Sequence, residues 1–174
     1  MWYVVQTVVG RERATAKLIT NTVPQDVLQE CFNPEFETEI KVRGAWVLVH
    51  KSMLPGYLIA VAADPRALDG ALRSLTCFAR VVKQGGEYVP LTNDEAALID
   101  TFTEPGNRVV PMSRGFKDGD AVVIQKGPLV GHQARIVKVD RHKSMAMIEF
   151  DLCGRSVTAR LGLCVMSKMH GAAA

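Results

Sequence analysis

The sequence predicts an α+β protein in two parts: a mixed-sheet α/β sandwich of about 100 residues, then a compact five-stranded β-barrel of under 60. Three observations carry this expectation. The first hundred residues change hydrophobic period several times, alternating runs of strand with three helices in a mixed β/α order. Residues 103–115 contain Pro105-Gly106, Pro111 and Gly115 and sustain neither period, which reads as a linker. Beyond them come only short strands and turns. The expected division is 1–102, 103–115 and 116–170, with two separately folded modules.

Each element has a local reason. Trp2 to Val9 is an apolar, β-branched run that suits a buried strand, and Gly10 ends it. Arg11 to Thr20 follows as a helix, with Leu18 and Ile19 on its buried edge. Glu30 to Phe36 is a short strand that Pro34 interrupts. Glu37–Val42 and Ala45–Lys51 flank Arg43-Gly44, a hairpin with Gly44 at a positive-φ position. Gly56 to Ala62 is apolar enough for a central strand. Asp64-Pro65 starts a helix that runs to Leu75, because Asp caps free N–H groups and Pro fits the first helical position. Cys77–Val82 is another strand, and Thr92 to Glu95 has capping-box spacing ahead of a helix over Asn93–Phe102. In the second part, strands are expected over 121–125, 133–140, 145–152 and 155–161. Ala146, Ile148, Phe150 and Leu152 share one face, as do Val157, Ala159 and Leu161. A barrel this small is only marginally stable through its own burial.

Composition narrows the function classes. Of 174 residues, 48% are hydrophobic and 22% charged, which is the balance of a folded globular chain rather than a disordered one. The longest uncharged run, Ser52 to Ala63, falls short of the ~20 residues a bilayer needs. No basic segment and small-residue cleavage site follow Met1, so the expectation is a cytoplasmic monomer with no membrane partner. Cys31, Cys77, Cys153 and Cys164 form no CxxC pair and no ligand pattern with histidine, which favours free thiols over a metal site; no cofactor is expected. There is no Ser/His/Asp arrangement, P-loop or GxGxxG after a strand. Glu35, Glu37 and Glu39 alternate along one strand as a solvated face, and the chain is not expected to be an enzyme. Charge divides unevenly: residues 1–100 hold 10 Lys/Arg against 12 Asp/Glu, whereas residues 116–174 hold 9 against 5. Charge alone fits a nucleic-acid contact and a solvated surface equally.

Two segments together carry a resemblance. Trp2-Tyr3-Val4-Val5-Gln6 and Met53-Leu54-Pro55-Gly56-Tyr57-Leu58 resemble the N-terminal (NGN) domain of NusG-type transcription elongation factors. Asp120 to Ile124, leading into Gly127-Pro128-Leu129-Val130-Gly131, with Val139-Asp140 and Gly154-Arg155, resembles the KOW motif of the same family. The resemblance spans nearly the whole chain and implies an NGN-like sandwich followed by an SH3-like KOW barrel. Val139-Asp140-Arg141-His142-Lys143, with Met112-Ser113 ahead of the barrel, is similar to LoaP-type antiterminators acting on long operons.

The resemblance implies that the first domain docks on the clamp helices of the RNA polymerase largest subunit. Tyr3, Leu54, Pro55, Tyr57 and Phe78 are the expected anchors and Arg11 and Lys51 the expected rim, since a helix groove needs apolar anchors with a polar border. Trp2, Val4 and Leu58 read as core rather than contact, because buried strands alternate in and out. The LoaP likeness implies a nascent RNA hairpin as partner of the barrel, through Lys126, Arg135, Lys138, Arg141, His142 and Lys143; Arg and Lys neutralise phosphates, and Arg and His stack on loop bases. Non-template DNA is a further candidate partner. A solvated charged turn is the plain alternative for Arg141–Lys143, and Arg155 is read as a brace to Asp151.

Two departures from the family pattern matter. Ala134 stands where a second glycine is usual, and Cys153 stands where an aromatic residue before Gly-Arg holds a small-subunit ribosomal protein. The alternative reading is therefore a general NusG-like factor coupling transcription to the ribosome, with Cys153 against it. A small enzyme carrying an accessory barrel is the third.

Overall fold

The computed structural model describes residues 1–103 and 106–167. Glu104 and Pro105 of the expected linker, and residues 168–170 at the end of the expected barrel, lie outside the described residues.

The first half is built on a four-stranded antiparallel sheet. Its strands are β1 (Trp2–Thr7), β2 (Glu30–Phe32), β5 (Tyr57–Val61) and β6 (Ala79–Val81), in the order β2-β5-β1-β6. Strand alternation sorts its side chains into two layers. Tyr3, Val5, Leu58 and Ala60 pack with Ile19 of α1 (Glu12–Thr22) and Leu68 and Leu72 of α2 (Pro65–Arg73). Val4, Ile59 and Phe32 belong to a second core on the opposite face. Asp64 caps α2 by accepting from Arg66 N at 2.9 Å, with Pro65 at the first helical position. Thr92 and Glu95 form the reciprocal capping box of α3 (Asn93–Phe102). α1 has no side-chain cap; its first residue, Glu12, instead accepts from Gly10 N and Gly56 N.

The hairpin β3 (Glu35–Val42) and β4 (Ala45–Ser52) pairs in register from Glu35↔Ser52 to Val42↔Ala45, and Arg43 and Gly44 at the tip both have positive φ. That is the two-residue turn whose twist suits a hairpin. A small hairpin, β7 (Lys83–Gln84) with β8 (Glu87–Tyr88), precedes α3.

The second half is a five-stranded β-barrel. Its strands are β10 (Ser113–Asp118), β11 (Ala121–Lys126), β12 (Ile136–Asp140), β13 (Met145–Leu152) and β14 (Arg155–Ser167), in the order β11-β10-β14-β13-β12. β14 serves twice, pairing antiparallel with β13 and then, further along, parallel with β10. Cys153 and Gly154, both at positive φ, make the β13–β14 turn.

Several sequence expectations need correction. Residues 103–115 are not free of structure: β9 (Val109–Val110) runs parallel to Glu35–Phe36, and β10 begins at Ser113. β10 shows no apolar period because it is squeezed between two strands. A β-carbon at Gly115 would meet the Val123 carbonyl oxygen at 2.5 Å, and the buried Ser113 is occupied accepting from Leu129 N. Arg108, also in the expected linker, is buried. Residues 133–135 form a short 3-10 turn rather than strand. Ala134 lies within it and not at positive φ, so it carries none of the strain a missing glycine would bring.

The two halves, expected as separate modules, share one core. Val4, Phe36, Met53, Leu54, Ile99 and Phe102 belong to the same buried cluster as Met145, Ile148, Phe150, Leu161 and Leu163 of the barrel. Polar links cross the seam: Arg160 N donates to Met53 O at 3.1 Å, and Met112 N donates to a Glu37 carboxylate oxygen at 3.2 Å. β14 passes so close to β3 that a β-carbon at Gly162 would collide with the Glu37 carbonyl oxygen. A barrel with too little core of its own thus borrows apolar contact from the sandwich.

Candidate nucleic-acid and polymerase interfaces

The basic turn between β12 and β13 is built from both halves. Asp140 accepts from Lys143 N at 3.1 Å, which closes the turn locally. The buried Thr38 of β3 then reaches across, its hydroxyl 3.0 Å from Lys143 O and 2.9 Å from Ser144 O. The backbone is held from beneath while Arg141, His142 and Lys143 stay exposed. Lys138, on β12, and Arg135, just ahead of it, are exposed as well. Lys126 stands apart: β11 and β12 are the two outer strands in the barrel order and no ladder joins them. Arg135 also faces elsewhere, lining a cavity of about 490 Å³ with Asp94, Glu95 and Asp151. The sequence pointed to the basic turn but not to Thr38, since a lone threonine on a strand gives no signal of a partner 105 residues away.

The seven expected polymerase-facing residues divide between the two faces of the main sheet. Tyr3 is buried in the helix-side layer. Arg11 and the exposed Phe78 lie on that side too, lining a cavity of about 520 Å³ with Val8 and Leu18. Leu54 and Tyr57 belong to the barrel-side core, Leu54 buried and Tyr57 half-buried; Pro55 is half-buried and Lys51 exposed. The barrel comes within hydrogen-bonding distance of this stretch at Met53 O. Val4 and Leu58 are core and Trp2 is half-buried against the barrel-side cluster. Tyr3 and Val5 are buried as well, because both faces of the sheet are covered and in-out alternation does not separate core from contact.

Arg108 is the residue that sequence reading missed most completely. Its guanidinium donates twice to Glu30, at 2.9 and 2.8 Å, once to Asp100 at 2.9 Å and once to Thr103 Oγ1 at 3.2 Å, and its Cζ lies 4.2 Å from the centre of the Phe32 ring. The Glu30 fork, assisted by Asp100, outweighs burial and holds its pKa above the ordinary arginine value. Arg155 makes no ion pair with Asp151, so the expected brace is absent. Burial pushes the Cys153 thiol up to about 11 and Cys31, with Glu30 beside it, up to about 12, so neither is a thiolate near neutrality. Among the described residues, no group of three or more His, Cys, Asp or Glu is placed to hold a metal, and no helix is long and apolar enough to cross a membrane.

Comparison with known proteins now places this architecture. The family model described as "Transcription termination factor nusG" matches residues 1–100. The chain belongs to the NusG family. Among curated relatives, the transcription termination/antitermination protein NusG of Campylobacter jejuni is 25% identical over 165 residues, covering 92% of each chain. Transcription elongation factor Spt5 of Pyrococcus furiosus is 28% identical over 141 residues, covering 81% of this chain and 75% of that protein. A solved structure described as the domain interaction in Thermotoga maritima NusG covers 92% of both chains with TM-score 0.52 and 20% identity, which shows the shared fold. NusG-family proteins are transcription factors, and this chain is a NusG/Spt5-like transcription elongation or antitermination factor at the level of the family.

Proposed function

We propose that this NusG-family chain is a specialised LoaP-type antitermination factor, binding RNA polymerase through its first half and a nascent RNA hairpin through the barrel. The observation that carries the RNA reading is the β12–β13 turn. Three adjacent basic side chains are presented outward on a backbone closed by Asp140 within the turn and, while the barrel is seated, steadied also by Thr38. A held backbone lets Arg141, His142 and Lys143 meet phosphates and loop bases without first losing main-chain entropy. Lys138 extends the same edge; Arg135, turned toward the acidic cavity, and Lys126, on the far strand, would make separate contacts.

For the polymerase, the barrel-side residues Leu54 and Tyr57, with the half-buried Pro55 between them and the exposed Lys51 nearby, support a helix-docking face; Tyr3, Arg11 and Phe78 lie toward the helix side. A clamp helix on that face requires the barrel to swing away from Met53. The domain interaction named for the Thermotoga protein gives this arrangement a counterpart. Non-template DNA remains a further proposed contact of the same complex.

The test is terminator read-through in vitro with and without a leader hairpin, alongside co-migration with RNA polymerase. Read-through that needs both the hairpin and Arg141/Lys143 supports the reading; read-through indifferent to the hairpin, or no co-migration, overturns it. The general NusG reading draws its support from the curated relatives, which carry the general name. Against it, the Cys153-Gly154 turn is seated on the first half: the Cys153 thiol is 3.7 Å from Val89 O and Gly154 lies against Gln84. Binding of the small-subunit ribosomal partner would favour the general factor.

A further inference from the structure

Beyond that reading, a second basic site exists at the seam between the halves. A cavity of about 330 Å³ is lined by Gln6, Tyr57, Arg73, Arg80, Lys83 and Arg155, with Val81 and Val82, and no carboxylate lines it. Sheet register places Tyr57, Gln6 and Arg80 in one row, since Gln6 lies opposite Tyr57 on β5 and opposite Arg80 on β6. Arg155 enters from the barrel, carried by the turn seated against Gln84 and Val89.

The four cations are differently committed. Arg73 shares its charge with the buried Asp69, 3.3 Å away. Arg80 donates to its neighbour's carbonyl, Ala79 O, and lies over Phe78; Lys83 sits over the Tyr88 ring at 4.4 Å. None of Arg80, Lys83 and Arg155 has an ion-pair partner among the described residues. The Gln6 amide and the Tyr57 hydroxyl likewise make no side-chain hydrogen bond among them. Three uncompensated cations around a concave, mostly polar hollow raise a positive potential that an anion relieves, and guanidinium forks match phosphate geometry.

We propose that this cavity is a phosphate site for a single-stranded nucleic-acid backbone, complete only while the barrel is seated on the sandwich. The requirement for seating selects the ligand class. A protein helix docking on this sheet face displaces the barrel and takes Arg155 with it, whereas a phosphate uses both sides of the seam. A bound backbone then holds the two halves together, because its binding energy is lost when they part.

The experiment is fluorescence anisotropy of the full chain with a labelled twelve-nucleotide oligo(dT), across a salt series. The combined variant Arg80→Gln with Arg155→Gln is expected to weaken binding about tenfold and to flatten the salt slope by about two contacts. A charge-matched control, Lys17→Gln with Arg66→Gln on exposed positions away from the cavity, loses far less. Arg155→Lys retains most of the affinity, and a methylphosphonate oligomer, lacking the charge, fails to bind. Inorganic phosphate and pyrophosphate separate the two phosphate sources: displacement only at high concentration supports a backbone, and tight binding of either makes the ligand a small phosphate and overturns the nucleic-acid assignment. Equal loss in the cavity variant and the control, or displacement by oligo-glutamate as effective as by unlabelled oligonucleotide, also overturns it. The hairpin reading is untouched by these outcomes, because it is read on the Arg141/Lys143 variant.

Discussion

Two basic regions of this molecule are assembled in opposite ways. Arg141, His142 and Lys143 are neighbours in the chain, closed into a turn by Asp140 and merely steadied by Thr38. Arg73, Arg80, Lys83 and Arg155 come from α2, β6, β7 and β14, and meet only because the barrel sits on the sheet. The turn keeps its cations together however the halves are arranged. The seam site ceases to exist when they separate. Local charge clusters are therefore properties of an element, whereas this composite one is a property of the domain packing, and unseating the barrel distinguishes them.

Gly162→Ala should have the largest effect. The added carbon collides with the Glu37 carbonyl, so β14 must leave β3. Small-angle scattering should show an enlarged radius of gyration with far-UV dichroism retained. Alkylation of Cys153, whose thiol faces Val89 across the seam, should accelerate about tenfold, while Cys31, buried inside the first half, stays protected. Retention of the compact radius would show that the seam tolerates the extra atom.

Arg108→Ala should follow, at about 2 kcal/mol of lost stability in urea unfolding, because it removes a buried side chain packed on Phe32 together with its charge-assisted hydrogen bonds to the part-exposed Glu30 and Asp100. Glu30 would lose its two-bond fork and Asp100 a single hydrogen bond, and the chain entering β9 its anchor to α3. A loss under about 1 kcal/mol would mean that Glu30 and Asp100 are adequately solvated without it.

Arg141→Ala with Lys143→Ala should reduce the salt slope of hairpin binding by about two without lowering thermal stability, since both side chains are exposed and the turn is held by backbone contacts. The smallest effect is on acid stability. In Glu12, burial alone would raise the carboxyl pKa, but backbone donors at Gly56 and Gly10 outweigh it and leave it lowered; in Asp69, Tyr88, Val81 N and Arg73 do the same. A lowered folded-state pKa contributes stability that is complete above the unfolded value, about pH 4, and is lost as pH falls through the folded value. Both groups lie in the first half, so acid should loosen the sandwich before the barrel turn. Glu12→Gln should cost about 1 kcal/mol at pH 7 and make the acid decline shallower, measured by thermal unfolding between pH 2 and about 6. An unchanged acid profile would place the sensitivity elsewhere.

Much of the fold was legible because its causes are local. Asp64-Pro65 caps and starts α2, Thr92 and Glu95 close the capping box of α3, and Gly44 turns the β3–β4 hairpin, each through atoms a few residues apart. β10 was not legible, because a strand pressed between two others at Gly115 and Ser113 needs small residues and shows no apolar alternation. Arg108 was hidden for a related reason. An arginine among prolines and glycines reads as solvated loop until Glu30 and Asp100, distant in sequence, are seen around it.

The amino-acid sequence by itself determined the three helices, most of the longer strands, the two chemical characters of the halves and the basic turn, since periodicity, capping and neighbouring charge are written along the chain. The tertiary structure alone decided that the halves share a core, which face of the sheet holds Leu54 and Tyr57, and that four scattered cations converge on one hollow. Those outcomes depend on which surfaces bury each other, and burial is settled between residues a hundred positions apart rather than between neighbours.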